Sequence, residues 1–243
     1  MPGIDVLSSI FSRIPRGKVI HTFIFTGRGG TGKSELALNF ARLLKTSNDR
    51  PVTFLDLDPV KPCFRSREAK DDLENQGIRL VMTPISSLDI PAISPENAGL
   101  LRGSGKGYLV IDLAGEEAGI KVIGGYHQYL SGSAIFWVIN YSRPFSRDDD
   151  EIIDWKKSAE SSLQLPFTGI VHNTHLMQKT TTELLLKSAN RVRKLAQTVG
   201  LPLLFHGIDE NLINKEKIQF PEPVLPLKIY LKPPWEKYYR PQI

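Results

Sequence analysis

Short apolar runs, each bounded by glycine, proline or charged residues, recur along the chain and predict β-strands. The runs cover residues 19–25, 51–56, 78–82, 108–112, 133–139, 167–171 and 203–206. Between them, apolar residues at helical spacing predict helices over 33–44, about 147–161 and about 180–199. This alternation predicts an α/β fold with a mostly parallel central sheet and helices on both faces. Because such sheets bind ligands beyond the carboxyl ends of their strands, we expect functional residues directly after the runs.

The two ends of the chain differ from this alternation. Apolar residues within 5–15 fall on one helical face with few basic residues opposite, which favours a helix packed on its own domain over one lying on a membrane. Residues 219–243 carry six prolines and predict an extended arm on the domain or on a neighbouring subunit. We therefore expect one domain over 1–243, with an amphipathic segment over about 1–18 and a C-terminal arm.

Composition limits the class of protein. With 41% hydrophobic and 23% charged residues and no apolar run of about 20, the chain is expected to be soluble and to lack a membrane span. The absence of a signal-peptide pattern and the single Cys63 favour a cytoplasmic location. The net charge is +5, but lysine and arginine are scattered, so the sequence gives no indication of nucleic-acid binding.

The segment after the first predicted strand matches the pattern G-x-x-x-x-G-K-[ST] without a mismatch. We call this segment the phosphate loop; it consists of Gly27, Arg28, Gly29, Gly30, Thr31, Gly32, Lys33 and Ser34. Such a loop points backbone N–H groups at phosphate oxygens, while the lysine approaches the β- and γ-phosphates and the serine hydroxyl ligates Mg²⁺. The pattern predicts binding of a nucleoside triphosphate, with Glu35 as a further contact.

Carboxylates at two strand ends are candidates for the magnesium site that such a triphosphate requires. Asp112 ends an apolar run and is followed after two residues by Gly115, whose N–H could reach the γ-phosphate. Asp56 and Asp58 are two residues apart, and this spacing directs both side chains to one side of a strand. We expect Asp112 and Asp56 to support the metal and Asp58 to position the attacking water.

Together, the phosphate loop, Asp-Leu-Asp-Pro at 56–59 and Asp-Leu-Ala-Gly at 112–115 resemble the ParA/MinD/nitrogenase-iron-protein class of P-loop ATPases, also called the cobyrinic acid a,c-diamide synthase nucleotide-binding superfamily. The resemblance runs over roughly residues 19–210. Residues 56–68 and 173–176 are similar to bacterial ATPases labelled cobyrinic acid a,c-diamide synthase-like. The resemblance implies a P-loop fold of the SIMIBI type, an ATP-Mg²⁺ site and a nucleotide-dependent homodimer.

The same resemblance assigns roles to two residues. Relatives that hydrolyse across a dimer carry a lysine at the second position of the loop, where this chain has Arg28. Arg28 would then be a catalytic group that reaches the partner's phosphates, and the alternative is a solvated arginine. Asn173 stands where relatives hydrogen-bond adenine, and Asn140 is a lesser candidate for that contact.

Other polar groups carry weaker indications. Arg65 and Arg67 would bring charge near the phosphates if their segment folds over the site, but they could equally be solvated. His172 and His175 have a spacing that metal sites sometimes use, yet without a third ligand nearby they are read as polar loop residues.

Three functions fit these features. The first is a Mg²⁺-dependent ATPase with Lys33, Asp58 and Arg28 as catalytic residues, acting as a dimeric switch on a protein or metal cargo. The second is a ligase that uses ATP to activate a carboxylate, although glutamine-dependent amidation usually needs a glutaminase domain and the residues after 210 are too few to form one. The third is a nucleotide-binding regulator without turnover. The sequence does not identify the cargo or partner.

Overall fold

The computed structural model of the chain describes residues 2–15, 20–57, 70–82, 93–103, 105–216 and 218–230. Eight strands form one sheet in which every pair of neighbours is parallel. The strands are β1 (Thr22–Thr26), β2 (Val52–Leu57), β3 (Ile78–Met82), β4 (Tyr108–Leu113), β5 (Ala134–Ile139), β6 (Gly169–His172), β7 (Leu203–Asp209) and β8 (Val224–Leu227). The predicted α/β fold with a parallel sheet is confirmed.

Helices connect the strands and cover both faces of the sheet. They are α1 (Pro2–Arg13), α2 (Lys33–Ser47), α3 (Lys70–Asn75), α4 (Pro95–Leu101), α5 (Glu117–Gly124), α6 (His127–Leu130), α7 (Asp149–Leu163), α8 (Thr182–Val199) and α9 (Glu210–Glu216), with a 3₁₀ turn at Pro144–Ser146. Strand residues alternate between the faces, as period two requires. In β1, Phe23 and Phe25 pack against α1 and α2, whereas Ile24 packs on the face covered by α5, α7 and α8.

The strand order places β1 at a change of direction in the sheet. The order is β3-β2-β4-β1-β5-β6-β7-β8, so the chain first builds the side containing β2, β3 and β4 and then continues on the other side of β1. At such a point, the loops that follow neighbouring strands separate and leave a crevice beyond their carboxyl ends. The phosphate loop follows β1 and therefore lies at this crevice.

The two ends of the chain pack on the same domain as far as the structure describes them. Leu7, Ile10 and Ile14 of the N-terminal segment are buried in the core beside α2. Part of the predicted arm is β8, which forms an edge of the sheet and which sequence reasoning missed. Prolines such as Pro226 argue against a central strand, but an edge strand tolerates them because one side needs no ladder hydrogen bonds.

Candidate functional site

The phosphate loop turns directly from β1 into α2. Gly32 is the N-cap of this 15-residue helix and has a left-handed backbone conformation with φ of 83°. A Cβ at Gly32 would also collide with the side-chain amide of Asn173, so both conformation and space require glycine. The Thr31 hydroxyl donates to the Arg28 carbonyl oxygen over 3.0 Å and closes the loop on itself. The loop therefore presents the N-terminus of α2, which favours anions.

Most of the residues predicted to contact nucleotide line one cavity of about 1000 Å³ at the crevice, which we call the phosphate-loop cavity. The predicted residues in its wall are Arg28, Gly29, Gly30, Gly32, Lys33, Ser34, Glu35, Asp56, Asp112, Gly115 and Asn173. Gly27 and Thr31 are instead buried within the loop, where Gly27 packs against the Val138 carbonyl of β5. Lys33 is 2% exposed, so its ammonium is almost fully withdrawn from solvent.

The two predicted metal carboxylates lie side by side. Asp56 of β2 and Asp112 of β4 are register partners on adjacent parallel strands, which places their Cα atoms about 4.8 Å apart and their side chains on one face. Both are buried, and both line the cavity. Two carboxylates so close create a negative site suited to a hard divalent cation. Asp58, Arg65 and Arg67 lie outside the described residues.

Gly115 brings the loop after β4 against the phosphate loop. A Cβ on Gly115 would collide with the carbonyl oxygen of Gly27, so the two backbones are in direct contact. The indole N–H of Trp155 on α7 donates to the Gly115 carbonyl oxygen over 3.2 Å. Gly115 is thus held between the phosphate loop and α7, and its position depends on both.

Arg28 lies at the cavity but is engaged by its own chain. Its Nη1 donates to the Phe145 carbonyl oxygen over 2.8 Å, and the guanidinium lies 5.5 Å from the centre of the Phe145 ring. Glu151 lies 3.7 Å from the same nitrogen. Arg28 therefore lies against the segment after β5 rather than extending freely into solvent.

A second arginine at the cavity, Arg143, was missed by sequence reasoning. It follows β5 by four residues in a segment without a recognisable motif, and it lines the cavity together with Glu116, Phe145 and Trp155. Its Nε donates to the Gly30 carbonyl oxygen over 2.7 Å. Burial, helped by the Arg143 charge, lowers the pKa of the neighbouring His175 to about 4, so this histidine is neutral at pH 7.

The two candidate adenine-binding asparagines have different positions. Asn173 lines the cavity and donates from Nδ2 to the Thr31 carbonyl oxygen over 2.8 Å, which ties the end of β6 to the phosphate loop. Asn140 is fully buried, and its Oδ1 accepts from the backbone N–H of Ser142 over 2.9 Å. In this structure Asn140 shapes the turn after β5 and does not line the cavity.

Glu35 connects the cavity to the end of the described chain. Its carboxylate accepts from the backbone N–H of Tyr230 over 2.8 Å. On the same helix, Asn39 pairs with both backbone groups of Lys228, at 2.9 Å each. Residues 228–230 are therefore fastened to α2, the helix that carries Lys33 and Ser34.

Next to the cavity, at the ends of β6 and β7, lies a group of mostly buried polar side chains that we call the histidine cluster. Its members are His172, Ser188, Arg193, His206 and Glu222. The sequence predicted that His172 is a polar loop residue, and this prediction is wrong. His172 is the last residue of β6 and is completely buried. Its Nδ1 lies 2.8 Å from Nδ1 of His206, and its Nε2 lies 2.9 Å from the Ser188 hydroxyl.

Glu222 and Arg193 complete the histidine cluster. Arg193 binds Glu222 through two hydrogen bonds of 2.8 and 2.7 Å, and these hold the pKa of Glu222 at about 2 although burial opposes this. Nε2 of His206 lies 3.1 Å from Glu222, so it donates to the carboxylate. Burial lowers the pKa of His206 to about 4 despite Glu222, and burial also lowers the pKa of His172. Both imidazoles are therefore neutral at pH 7, and the charged members of the cluster are Arg193 and Glu222, which form an ion pair.

Among the described helices, none is long and apolar enough to cross a membrane.

Comparison with solved structures supports the fold. A nucleotide-binding protein from Archaeoglobus fulgidus, solved in complex with ADP, superposes with a TM-score of 0.50 at 16% identity, covering 87% of this chain and 89% of the other. The cell division protein FtsY from Thermotoga maritima superposes with a TM-score of 0.55 at 16% identity, covering 82% of this chain but only 64% of FtsY. The fold is therefore that of the SIMIBI P-loop proteins.

Sequence comparison gives the family. No curated protein sequence shows significant similarity to this chain. The sequence model of the CobQ/CobB/MinD/ParA nucleotide binding domain, however, matches residues 22–225, from the first residue of β1 into β8. This range includes the phosphate loop and both buried carboxylates, and it takes in most of the chain. The chain belongs to the CobQ/CobB/MinD/ParA nucleotide-binding family.

Proposed function

We propose that the protein binds ATP with Mg²⁺ in the phosphate-loop cavity and hydrolyses it. The observation that carries this proposal is the convergence, in one cavity, of the loop, the buried Lys33 and the Asp56–Asp112 pair. The loop and the N-terminus of α2 offer donors to phosphate, and the paired carboxylates offer oxygen ligands to magnesium. The loop alone could be a structural turn, and the carboxylate pair alone could be a buried acid pair. Their presence in one cavity distinguishes a nucleotide site from both.

The charges in the cavity support the need for magnesium. The described lining includes three cations, Arg28, Lys33 and Arg143, against five carboxylates. A triphosphate would meet net repulsion from such a wall unless a cation accompanied it. Mg²⁺ held near Ser34, Asp56 and Asp112 would neutralise charge on the phosphate oxygens. Lys33 would bind the β- and γ-phosphates, and the Gly115 N–H would approach the γ-phosphate.

We further propose that the ATPase acts as a cytoplasmic homodimeric switch on a protein or metal cargo. Here Asp58 positions the attacking water, and Arg28 reaches the phosphates of the second copy. Arg28 would first have to leave Phe145 and Glu151, so the dimer would require a rearrangement at this contact. Phe145, whose ring contacts Arg28, is 62% exposed and would be accessible to a second copy. No described feature favours carboxylate activation, and we do not propose it.

Phosphate release at several protein concentrations tests this function. For a switch that is completed by a second copy, turnover per subunit should rise with concentration. Arg28→Ala should lower turnover by on the order of 10³ because an arginine supplied in trans acts on the transition state. Arg147→Ala removes the same charge from an exposed position of the neighbouring segment and should leave turnover unchanged.

Mixing two inactive variants separates action in trans from action in cis. Equal amounts of Arg28→Ala and Lys33→Ala should regain activity, since one site of a mixed dimer keeps its own Lys33 and receives the partner's Arg28. Full activity of Arg28→Ala alone would contradict the dimeric switch, while leaving nucleotide binding intact.

A further inference from the structure

Two arginines lie at the phosphate-loop cavity, and they differ in what their side chains already bind. Arg28 is occupied by the Phe145 carbonyl, the Phe145 ring and Glu151. Arg143, among the residues that the structure describes, makes one hydrogen bond, from Nε to the Gly30 carbonyl oxygen. Within the described ranges, no carboxylate comes within ion-pair distance of Arg143. Among the described residues, no carboxylate therefore forms a direct ion pair with this guanidinium at the wall of the cavity.

The single hydrogen bond fixes Arg143 without consuming most of its donors. A guanidinium carries five N–H groups, of which one is on Nε and four are on the terminal nitrogens. With Nε bound to Gly30, the terminal nitrogens keep four donors in a planar fork that suits phosphate oxygens. The side chain also covers Gly30 closely, since a Cβ added there would lie 3.4 Å from Nε. The loop itself therefore holds this fork in place.

The charge of Arg143 acts inside the cavity rather than in solvent. Arg143 is only partly exposed and lines the same wall as Lys33. His175, which also lines the cavity, has its pKa lowered in part by the Arg143 charge. The positive charge that disfavours protonation of His175 would attract an anion that enters the cavity. The most highly charged anionic group of a triphosphate is its terminal phosphate.

We propose that Arg143 binds the terminal phosphate of the nucleotide from the same chain, through the terminal nitrogens that its bond to Gly30 leaves available. This inference rests on the proposed function, because it needs a triphosphate in the cavity. The Arg143 guanidinium, from the segment after β5, would thus complete the phosphate site within one chain. This contact would need neither Arg28 nor a dimer.

Arg143→Gln separates this role from simple support of the loop. Glutamine places an N–H donor the same number of bonds from Cα as Nε of arginine, so it can keep the bond to Gly30 while losing the fork and the charge. Arg143→Ala loses both. Arg147→Ala is the matched control, since Arg147 lies four residues away on the same segment and is exposed.

Isothermal titration of MgATP and MgADP into the wild type and these variants tests the proposal. Arg143→Ala and Arg143→Gln should each weaken MgATP binding about tenfold, because a hydrogen bond to a charged group is lost, and MgADP binding by less than about twofold. Arg147→Ala should change neither. Normal MgATP affinity in Arg143→Gln would overturn the proposal and leave Arg143 as a support for Gly30.

Equal losses for MgATP and MgADP in the Arg143 variants would also overturn it, since the contact would then not be to the terminal phosphate. Lys33→Ala in the same experiment tests nucleotide binding by the phosphate loop separately from the role of Arg143. If Lys33→Ala weakens MgATP binding tenfold or more while the Arg143 variants bind normally, the proposed function stands and this inference fails. If the wild type binds neither nucleotide, both fail.

Discussion

The phosphate-loop cavity and the histidine cluster lie next to each other at the carboxyl edge of the sheet, yet their polar groups are arranged differently. In the cavity, Arg143 keeps donors that bind no described acceptor, and two carboxylates lie side by side. In the cluster, each ring nitrogen has a partner and Arg193 is fully matched by Glu222. Because leaving the terminal nitrogens of a partly buried guanidinium without acceptors is costly, the unmatched donors of Arg143 in the cavity indicate a site for a ligand, whereas the matched groups of the cluster indicate a site for stability.

The two regions are adjacent in sequence at the ends of two strands. His172 precedes Asn173, and His206 precedes Gly207, so each histidine lies directly before a residue of the cavity wall. The cluster thereby fixes the ends of β6 and β7 on which one side of the cavity is built. If the comparison is right, changes in the cluster should lower stability much more than ligand affinity, and changes in the cavity should do the reverse.

The largest expected effect is on stability, from Glu222→Ala. It leaves Arg193 and His206 without their acceptor, so the free energy of unfolding should fall by about 3 kcal/mol, the cost of losing charge-assisted hydrogen bonds to a largely buried carboxylate. Asp154→Asn, which breaks an ion pair that is 74% exposed on the aspartate side, should cost less than about 1 kcal/mol. Urea unfolding measures both. A small effect of Glu222→Ala on the free energy of unfolding, with a large loss of ATP affinity, would contradict the assignment of the cluster to stability.

The next effect is a dependence of stability on pH. The pKa of His206 in the folded protein is about 4, below its ordinary value of 6.5, so the unfolded chain binds protons more readily between these values. Stability should therefore fall as the pH drops from 6.5 to 4, with His206 contributing on the order of 3 kcal/mol. Glu222, with a folded pKa of about 2, should add a further loss only below about pH 4.5.

Urea unfolding of the His206→Gln variant as a function of pH checks this assignment. The variant starts from lower stability at pH 7, but the decline between pH 6.5 and 4 should be visibly shallower than in the wild type. An unchanged decline would mean that the cluster does not carry the acid sensitivity.

A smaller effect, confined to the ligand, is expected from Gly115→Ala. The added Cβ collides with backbone at Gly27 and must displace the phosphate loop or the loop after β4, so ATP should bind at least about tenfold more weakly. Gly132→Ala meets open space and serves as the matched glycine control. Titration calorimetry measures both, and equal affinities would show that the contact between the two loops is not needed for binding.

The smallest effect concerns Trp155, which holds the Gly115 carbonyl. Trp155→Phe keeps an aromatic ring beside Trp137 and Phe167 but removes the indole N–H. We expect a loss of about 1 kcal/mol in stability and a modest rise in the ATP concentration needed for half-maximal turnover. If turnover changes more than tenfold, Trp155 does more than position the loop.

The sequence predicted features formed by adjacent residues better than features assembled from distant ones. The phosphate loop and the acidic strand ends were found because backbone geometry places them within a few residues of a strand. His172 follows one apolar run, His206 ends another 34 residues later, and Glu222 lies in a segment read as an arm, so nothing local connects them. Likewise β8 was hidden by its prolines, and Arg143 has no motif around it. Sites whose residues come from different strands can be identified only when the order of the strands in the sheet is known.

The central claim is that the phosphate loop binds a nucleoside triphosphate, and Lys33 tests it most directly. Isothermal titration of MgATP should give saturable binding to the wild type and a tenfold to hundredfold weaker association with Lys33→Ala, about 1.5–3 kcal/mol for one charge-assisted contact. Urea unfolding without nucleotide should first establish that the variant is folded. Unchanged MgATP affinity in folded Lys33→Ala would contradict the account, because the loop would then not be the phosphate site.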